Sequence, residues 1–490
     1  MEIYKRRKWF ITLQACVILL ALLFLQNNEA SNNLLFVLLY SLWNILSYAW
    51  LFVSEMKFAP DFHPFQVLTL ASIQFIGLNG LSLFSSLSSG ERIDFAGNYV
   101  DDILYLGFVF LSLEHLVLYS VFYYFEWRYY KSEDRRVITD CIRATNIDYF
   151  EWAKRLYLAI WILRLVNMRV SLSGLGSVFL SFVNIGYQLV LFLLLFSGIK
   201  EPENKSYLKY HWAVVVIEVV LVLGHGMKEE IIRPLIPYGV YLIMIYKSGL
   251  MSFDKGIIVR LGLIGAFVVL FVFPFNSIFR DLSNNTGRDW QEVTVRETFS
   301  AYIDYYLGGN TNRMEEKDRG AGYLMSRAGT IASNAWAIDY AINNGTHPEF
   351  FAYCTLAAIP RLLWKDKPQI VVGGMIDRLA RGDPTWMVPE RASEYGSSLS
   401  FGFAGACYFC FGFAGAVFFF VFHALFFSFL WYFIRGRIHY NLMALFVLVN
   451  FLFLVLKDFE AYQDCGISFF AINTVLLLFT RLTDPVFKKM

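Results

Sequence analysis

Apolar residues recur along the chain in twelve runs, near 9–25, 34–53, 65–85, 100–125, 156–172, 178–198, 211–224, 234–247, 256–276, 411–433, 441–456 and 466–480. Most approach the roughly 20 residues that a helix rising 1.5 Å per residue needs to cross a ~30 Å hydrocarbon core. The series is interrupted once, by a long polar insertion over 277–400. The pattern predicts an all-α, polytopic helical membrane protein of about 12 transmembrane helices. Membrane helices 1 to 9 fall in 1–276 and a large external loop of short helices in 277–400. A re-entrant segment with membrane helices 10 to 12 follows in 401–490. Loops of this length inside a folded chain usually carry function.

Composition agrees with that class. The chain is 57% hydrophobic, 18% aromatic and only 17% charged, where a soluble domain holds about 25% charged residues. Its mean hydropathy is +0.48. The net charge of +2 says nothing about an acidic partner, but its distribution gives an orientation. Lys5, Arg6, Arg7 and Lys8 precede the first apolar run, and Lys57, 128–155, Lys205, Lys209, Lys247, Lys255, Arg435, Arg437, Lys488 and Lys489 fall on the same side. The opposite connections 26–33 and 173–177 lack Lys and Arg, and 86–99 holds only Arg92. The positive-inside rule therefore places both termini in the cytoplasm and the insertion in the periplasm or outside the cell. No small-residue cleavage site follows the first run, which reads as an anchor.

The insertion holds ten Arg and three Lys against fifteen acids, a net of −2. It is no general polyanion trap, yet its cations are mostly guanidinium, the group suited to bidentate phosphate contacts. After it, FGFAGA occurs at 401–406 and again at 411–416. From Phe401 to Phe433 a continuous helix would be roughly 50 Å long. That exceeds one crossing and suggests a short re-entrant or interfacial helix followed by a span, with a single tilted helix as the alternative.

Charges inside the runs are expensive in lipid. Glu114, His115, Arg164, Glu218 and Arg260 are of this kind, read either as Glu/Arg pairs between helices or as the lining of an aqueous groove or ion path. Cys407 and Cys410 have redox spacing but sit in a Gly/Phe run and read as small apolar filling. No glycine loop with a lysine occurs in a strand–helix context, so nucleotide binding is not expected. The connection from Glu126 to Arg155 reads as cytoplasmic amphipathic helices on the lipid surface, a docking site for assembly proteins.

Three stretches resemble the Wzy-type oligosaccharide repeat-unit polymerases, the O-antigen and capsule polymerase family. They are GHGMKEEIIRP (Gly224 to Pro234), the series Arg327, HPEFF (His347 to Phe351) and IPRLLWKDKP (Ile359 to Pro368), and SLSFGFAGACYFCFGFAG from Ser398. The last departs from the usual pattern, with Gly405 and Cys410 at the positions of its Glu and Asn. The resemblance implies a membrane glycosyltransferase of the bacterial cytoplasmic (inner) membrane. It would move a growing glycan from undecaprenyl diphosphate to the non-reducing end of a new lipid-linked repeat unit. The implied partners are that lipid-linked oligosaccharide, a chain-length regulator and a flippase, with no nucleic acid, cofactor or metal. An O-antigen ligase shares topology and donor, and a lipid-linked oligosaccharide flippase or transporter is a further alternative.

Such chemistry develops negative charge on a lipid diphosphate, which preorganised guanidiniums stabilise, and needs an acceptor for a hydroxyl proton. Arg361, Arg327, Arg233, Glu394 and His225 are the catalytic candidates. Trp364, Lys367, Arg319, Arg169 and His347 are the substrate-binding candidates. Arg361 and Lys367 flank Trp364, whose apolar face suits a pyranose; an interfacial Trp with snorkelling cations is the plainer reading. Arg319 and Arg327 read equally as solvated charge. Glu229, Glu230 and His347 compete with His225 and Glu394 for the role of base, and spacing does not choose among them.

Overall fold

The computed structural model describes residues 2–25, 31–59, 62–129, 145–169, 175–201, 206–222, 233–247, 294–307, 329–358, 372–388, 400–438, 440–457 and 462–487, with a few isolated positions between. In chain order, α1 (Glu2–Leu25), α2 (Ser31–Phe58), α3 (Pro64–Ser72), α4 (Asn79–Ser88), β1 (Asp94–Phe95), β2 (Asn98–Tyr99) and α5 (Leu104–Tyr129) come first. Next are α6 (Tyr149–Arg169), α7 (Leu175–Lys200), α8 (Ser206–Val222), α9 (Ile236–Lys247) and α10 (Val295–Leu307). Last come α11 (Gly329–Asn344), α12 (Pro348–Ala358), α13 (Val372–Ala380), α14 (Phe403–Arg435), α15 (Leu442–Lys457) and α16 (Tyr462–Phe487). Among the described residues, the segments Leu34–Phe58, Gln66–Ser88, Asp101–Arg128 and Phe403–Arg435 are helices long and apolar enough to cross a membrane.

The chain divides into two units, Met1–Arg136 with Leu172–Ser177 and Ala328–Met490, and Val137–Ser171 with Val178–Arg327. In the first, α5 is the central helix, packed against α1, α2, α11 and α14. Phe110 of α5, Ile338 of α11, and Phe403, Cys407 and Phe420 of α14 form a shared buried cluster. α3 runs into α4 through a π-helical stretch, Ile73–Leu78, with the Asn79 N–H reaching back to the Gln74 carbonyl. The all-α expectation misses one element. Asp94 pairs with Tyr99 and Phe95 with Asn98, around Ala96 and Gly97, both at positive φ, as a two-residue hairpin loop requires. The Gly97 N–H donates to Asp94 Oδ1 at 3.0 Å.

α14 is broken at Gly412, whose φ of 66° and ψ of −167° lie where only glycine sits readily. The break explains the FGFAGA repeat. Gly402 is the N-cap of α14 with ψ 168°, and Gly412 takes the same extended ψ before the helix resumes at Phe413. The motif therefore marks two helix starts in series. Three residues after the first start, the Gly405 N–H donates to Asn334 Oδ1 of α11 at 3.1 Å, satisfying a donor that a helix N-terminus leaves open. A Cβ on Gly405 would stand 2.5 Å from that oxygen and 2.8 Å from the Asn334 Cα, so the two helices meet backbone to side chain.

Near the other end of α14, Arg437 Nε pairs with Asp484 of α16 at 2.6 Å, and Asn441 Nδ2 donates to the same carboxylate at 2.8 Å. In the second unit, Arg164 of α6 grips Glu218 of α8 with both terminal nitrogens, at 2.8 and 2.5 Å. Tyr157 donates to that carboxylate at 3.3 Å. The two in-run charges thus neutralise one another between helices. α8 and α9 are joined by the Tyr207 and Tyr241 hydroxyls at 2.9 Å.

Candidate functional site

His347 lies in a turn that its sequence encodes. α11 ends at Asn344, and Gly345 follows at φ 91° with its N–H on the Ala341 carbonyl, the usual helix stop. Pro348 then opens α12 at the position where its missing N–H costs nothing, and Glu349 follows in the first turn, where a negative charge is favourable. The His347 N–H donates to the Phe409 carbonyl at 2.9 Å. In an unbroken α14 that carbonyl would accept from Phe413. The break at Gly412 therefore frees the acceptor that holds His347.

The His347 side chain is fixed on both sides. Nδ1 lies 2.8 Å from Glu349 Oε1. A carboxylate only accepts, so Nδ1 carries the hydrogen and a neutral ring keeps its lone pair on Nε2. That atom is buried without a hydrogen-bond partner among the described residues. The ring stacks on Phe409 at 5.0 Å and meets the edge of Trp386 at 5.6 Å, with Tyr340 at 5.8 Å. Burial pushes the Tyr340 phenol and the Asp339 carboxyl on α11 above their ordinary values. An imidazole oriented by a carboxylate among aromatic faces can take a hydroxyl proton or accept a hydrogen bond.

Trp386 is held there by Arg378 of α13, which is fully buried. Its terminal nitrogens donate to the carbonyls of Thr385, Trp386 and Val388, at 3.3, 2.7 and 3.0 Å. The hairpin closes the same region. Asn98 Nδ2 donates to the Ala380 carbonyl at 2.8 Å, and Phe95 packs on Trp336 at 5.4 Å. Sequence reading missed Arg378 and Trp386; the turn-forming GDPT between them was the available signal, and it does not say which arginine the turn encloses.

His347 is the one candidate whose side chain is described. Arg233 opens the short 3-10 turn Arg233–Leu235 before α9, and Arg169 is the last residue of α6. His225, Arg319, Arg327, Arg361, Trp364, Lys367 and Glu394 lie outside the described residues, as do Glu229, Glu230, Arg260 and most of 130–144. Along the chain, Arg327 comes two residues before α11 and Arg361 three residues after α12, the helices that flank His347. Cys407 and Cys410 are buried free thiols. Among the described residues no cluster of His, Cys, Asp and Glu is arranged to hold a metal ion.

A second group of ionisable side chains was not legible at all. Arg7, read from sequence as part of a basic flank, is buried. Its Nε and Nη2 hold the two oxygens of Glu55 at 2.5 and 2.8 Å, and Nη1 bonds Glu126. His63 Nε2 lies 2.8 Å from the other Glu126 oxygen. Four segments of the first unit are thereby tied at one point. No family model, curated protein or solved structure matches the chain.

Proposed function

We propose that the chain is a polytopic protein of the bacterial cytoplasmic (inner) membrane, with about twelve spans and both termini cytoplasmic. On this reading it is a glycosyltransferase that polymerises undecaprenyl-diphosphate-linked oligosaccharide repeat units into a surface polysaccharide. The observation that carries the reading is the pairing of His347 with Glu349 inside the Tyr340, Trp386 and Phe409 box. Its His347, Glu349 and Phe409 come from the HPEFF stretch and the segment from Ser398, two of the regions that resemble the repeat-unit polymerases. Aromatic faces suit the C–H faces of sugars, and an oriented imidazole suits the acceptor hydroxyl. Arg327, Arg361 and Lys367 would meet the diphosphate, with Trp364 against a sugar ring.

The test uses a host lacking this protein, with its surface polysaccharide resolved on a gel. Plasmids would carry the wild type, Arg361→Ala, Arg327→Ala or His347→Ala. Single repeat units in the null strain, and a ladder restored by wild type alone, support polymerase chemistry at these residues. A ladder restored by all three variants removes them from the site. Loss of even the single unit in the null strain favours the second reading, a flippase or ligase. The flippase is the alternative that the buried charges of α1, α2 and α5 favour.

A further inference from the structure

The interior of the α2, α3 and α5 bundle is polar where a helix bundle in lipid would ordinarily be apolar. On α5, Ser112, His115, Tyr119 and Glu126 are all buried and follow one another at spacings of three, four and seven residues, which is one stripe of a helix. On α2, Tyr40, Asn44, Tyr48 and Glu55 are buried at spacings of four, four and seven. The opposite face of α2 exposes Leu35, Leu39, Leu42, Leu46 and Val53. The helix therefore shows apolar groups outward and hydrogen-bonding groups inward.

These side chains follow one another in a file. His115 Nδ1 lies 2.7 Å from Ser72 Oγ. Ser72 Oγ also donates to the Leu68 carbonyl at 2.8 Å, and the Tyr40 and Ser112 hydroxyls are buried without a hydrogen-bond partner among the described residues. The Tyr48 ring lies 5.8 Å from that of Tyr119 and 6.2 Å from the His115 imidazole. Glu126, two turns beyond Tyr119 on α5, belongs to the Arg7, Glu55, Glu126 and His63 cluster. From Ser112 to Glu126 the α5 backbone rises about 21 Å, some two-thirds of a ~30 Å hydrocarbon core.

A second irregularity marks the middle of this file. The π-helical stretch Ile73–Leu78 begins at the residue after Ser72. Such insertions forfeit regular helix hydrogen bonds and concentrate at functional sites. Ionisable groups in a membrane interior are costly and characteristically mark ion or proton routes.

We propose that this seam is a proton path, with the Ser72–His115 contact as its central relay and the Arg7–Glu55–Glu126–His63 cluster at one end. One proton enters, each hydroxyl or imidazole passes on its own as it receives the next, and one proton leaves. No bond other than O–H and N–H is made or broken. The driving force is a membrane potential or pH difference, and no oxidant or second substrate takes part. This assignment stands whether or not the chain is a polymerase.

The full chain would be reconstituted in phosphatidylcholine–phosphatidylglycerol liposomes containing a pH-sensitive dye. A potassium diffusion potential set with valinomycin, negative inside, then draws protons inward. Wild type and the lipid-facing control Leu46→Ala should acidify the lumen at least tenfold faster than protein-free liposomes. Ser72→Ala, which removes a single oxygen, and His115→Phe should fall at least tenfold below wild type while eluting as the same monodisperse species. Where His115→Phe does not fold, Ser72→Ala decides. Wild-type flux equal to protein-free liposomes overturns the proposal, as does wild-type flux through Ser72→Ala.

Discussion

Replacing Gly412 by alanine sets the broken form of α14 against a straight one. The broken form holds residue 412 at φ 66° and ψ −167°, a conformation that costs a residue with a Cβ about 1–3 kcal/mol. Steric crowding adds little, since the nearest atom to the new Cβ would be Thr346 Cγ2 at 3.5 Å. Alanine also favours the helical conformation over glycine by about 1 kcal/mol. A shift of about 2–4 kcal/mol towards the straight form is on the order of a 30- to 700-fold change in the ratio of the two. Straightening returns the Phe409 carbonyl to Phe413 and releases the His347 N–H, now bound at 2.9 Å. Hydrogen–deuterium exchange followed by mass spectrometry reads both ends of that trade. Exchange over 345–351 should quicken at least tenfold, while exchange just after residue 412 slows. Unchanged exchange in both segments would refute the account of the FGFAGA repeat as two helix starts.

Arg7→Met leaves Glu55 and Glu126 buried without their cation; a loss of about 3–5 kcal/mol is expected, read as a lower thermal midpoint in detergent, and a midpoint equal to wild type would contradict the buried network. For Arg164 and Glu218, each single change to leucine should destabilise strongly and the double change much less, because the pair is more costly to break than to replace; additive losses would show that the two do not interact. Gly405→Val forces a side chain into the space of Asn334 and should cost about 1–3 kcal/mol, measurable by the same thermal assay. Arg378→Met withdraws donors from three carbonyls. It should cost about 2–3 kcal/mol and speed amide exchange over 383–388, with unchanged exchange there arguing against its positioning of Trp386.

Some of the site was legible before any coordinates. The order Gly345, His347, Pro348, Glu349 states a helix stop, a cap and a helix start, because each residue type there answers a local backbone need. The length of the stretch from Phe401 to Phe433 likewise suggested two pieces, with a single tilted helix as the alternative, and the break at Gly412 gives the FGFAGA repeat its meaning. The hairpin at Asp94–Tyr99 escaped notice because strands of two residues leave no alternation to detect, and Ala96 stands at a positive φ that alanine seldom adopts.

The sequence by itself determined the helical class, since apolar run length acts within a few residues of the chain, and it left two readings of the 401–433 stretch open. It also showed that Arg164 and Glu218 were out of place in apolar runs. Only the tertiary structure decided that these two satisfy one another 54 residues apart, and that Arg7 turns inward to Glu55 and Glu126 rather than outward with Lys5 and Lys8. It decided equally that Ser72 meets His115 across 43 residues and that Arg378 holds the loop bearing Trp386. Local propensity depends on neighbours in the chain. The partner of a buried charge depends on which helices pack together, and spacing along the sequence carries no record of that.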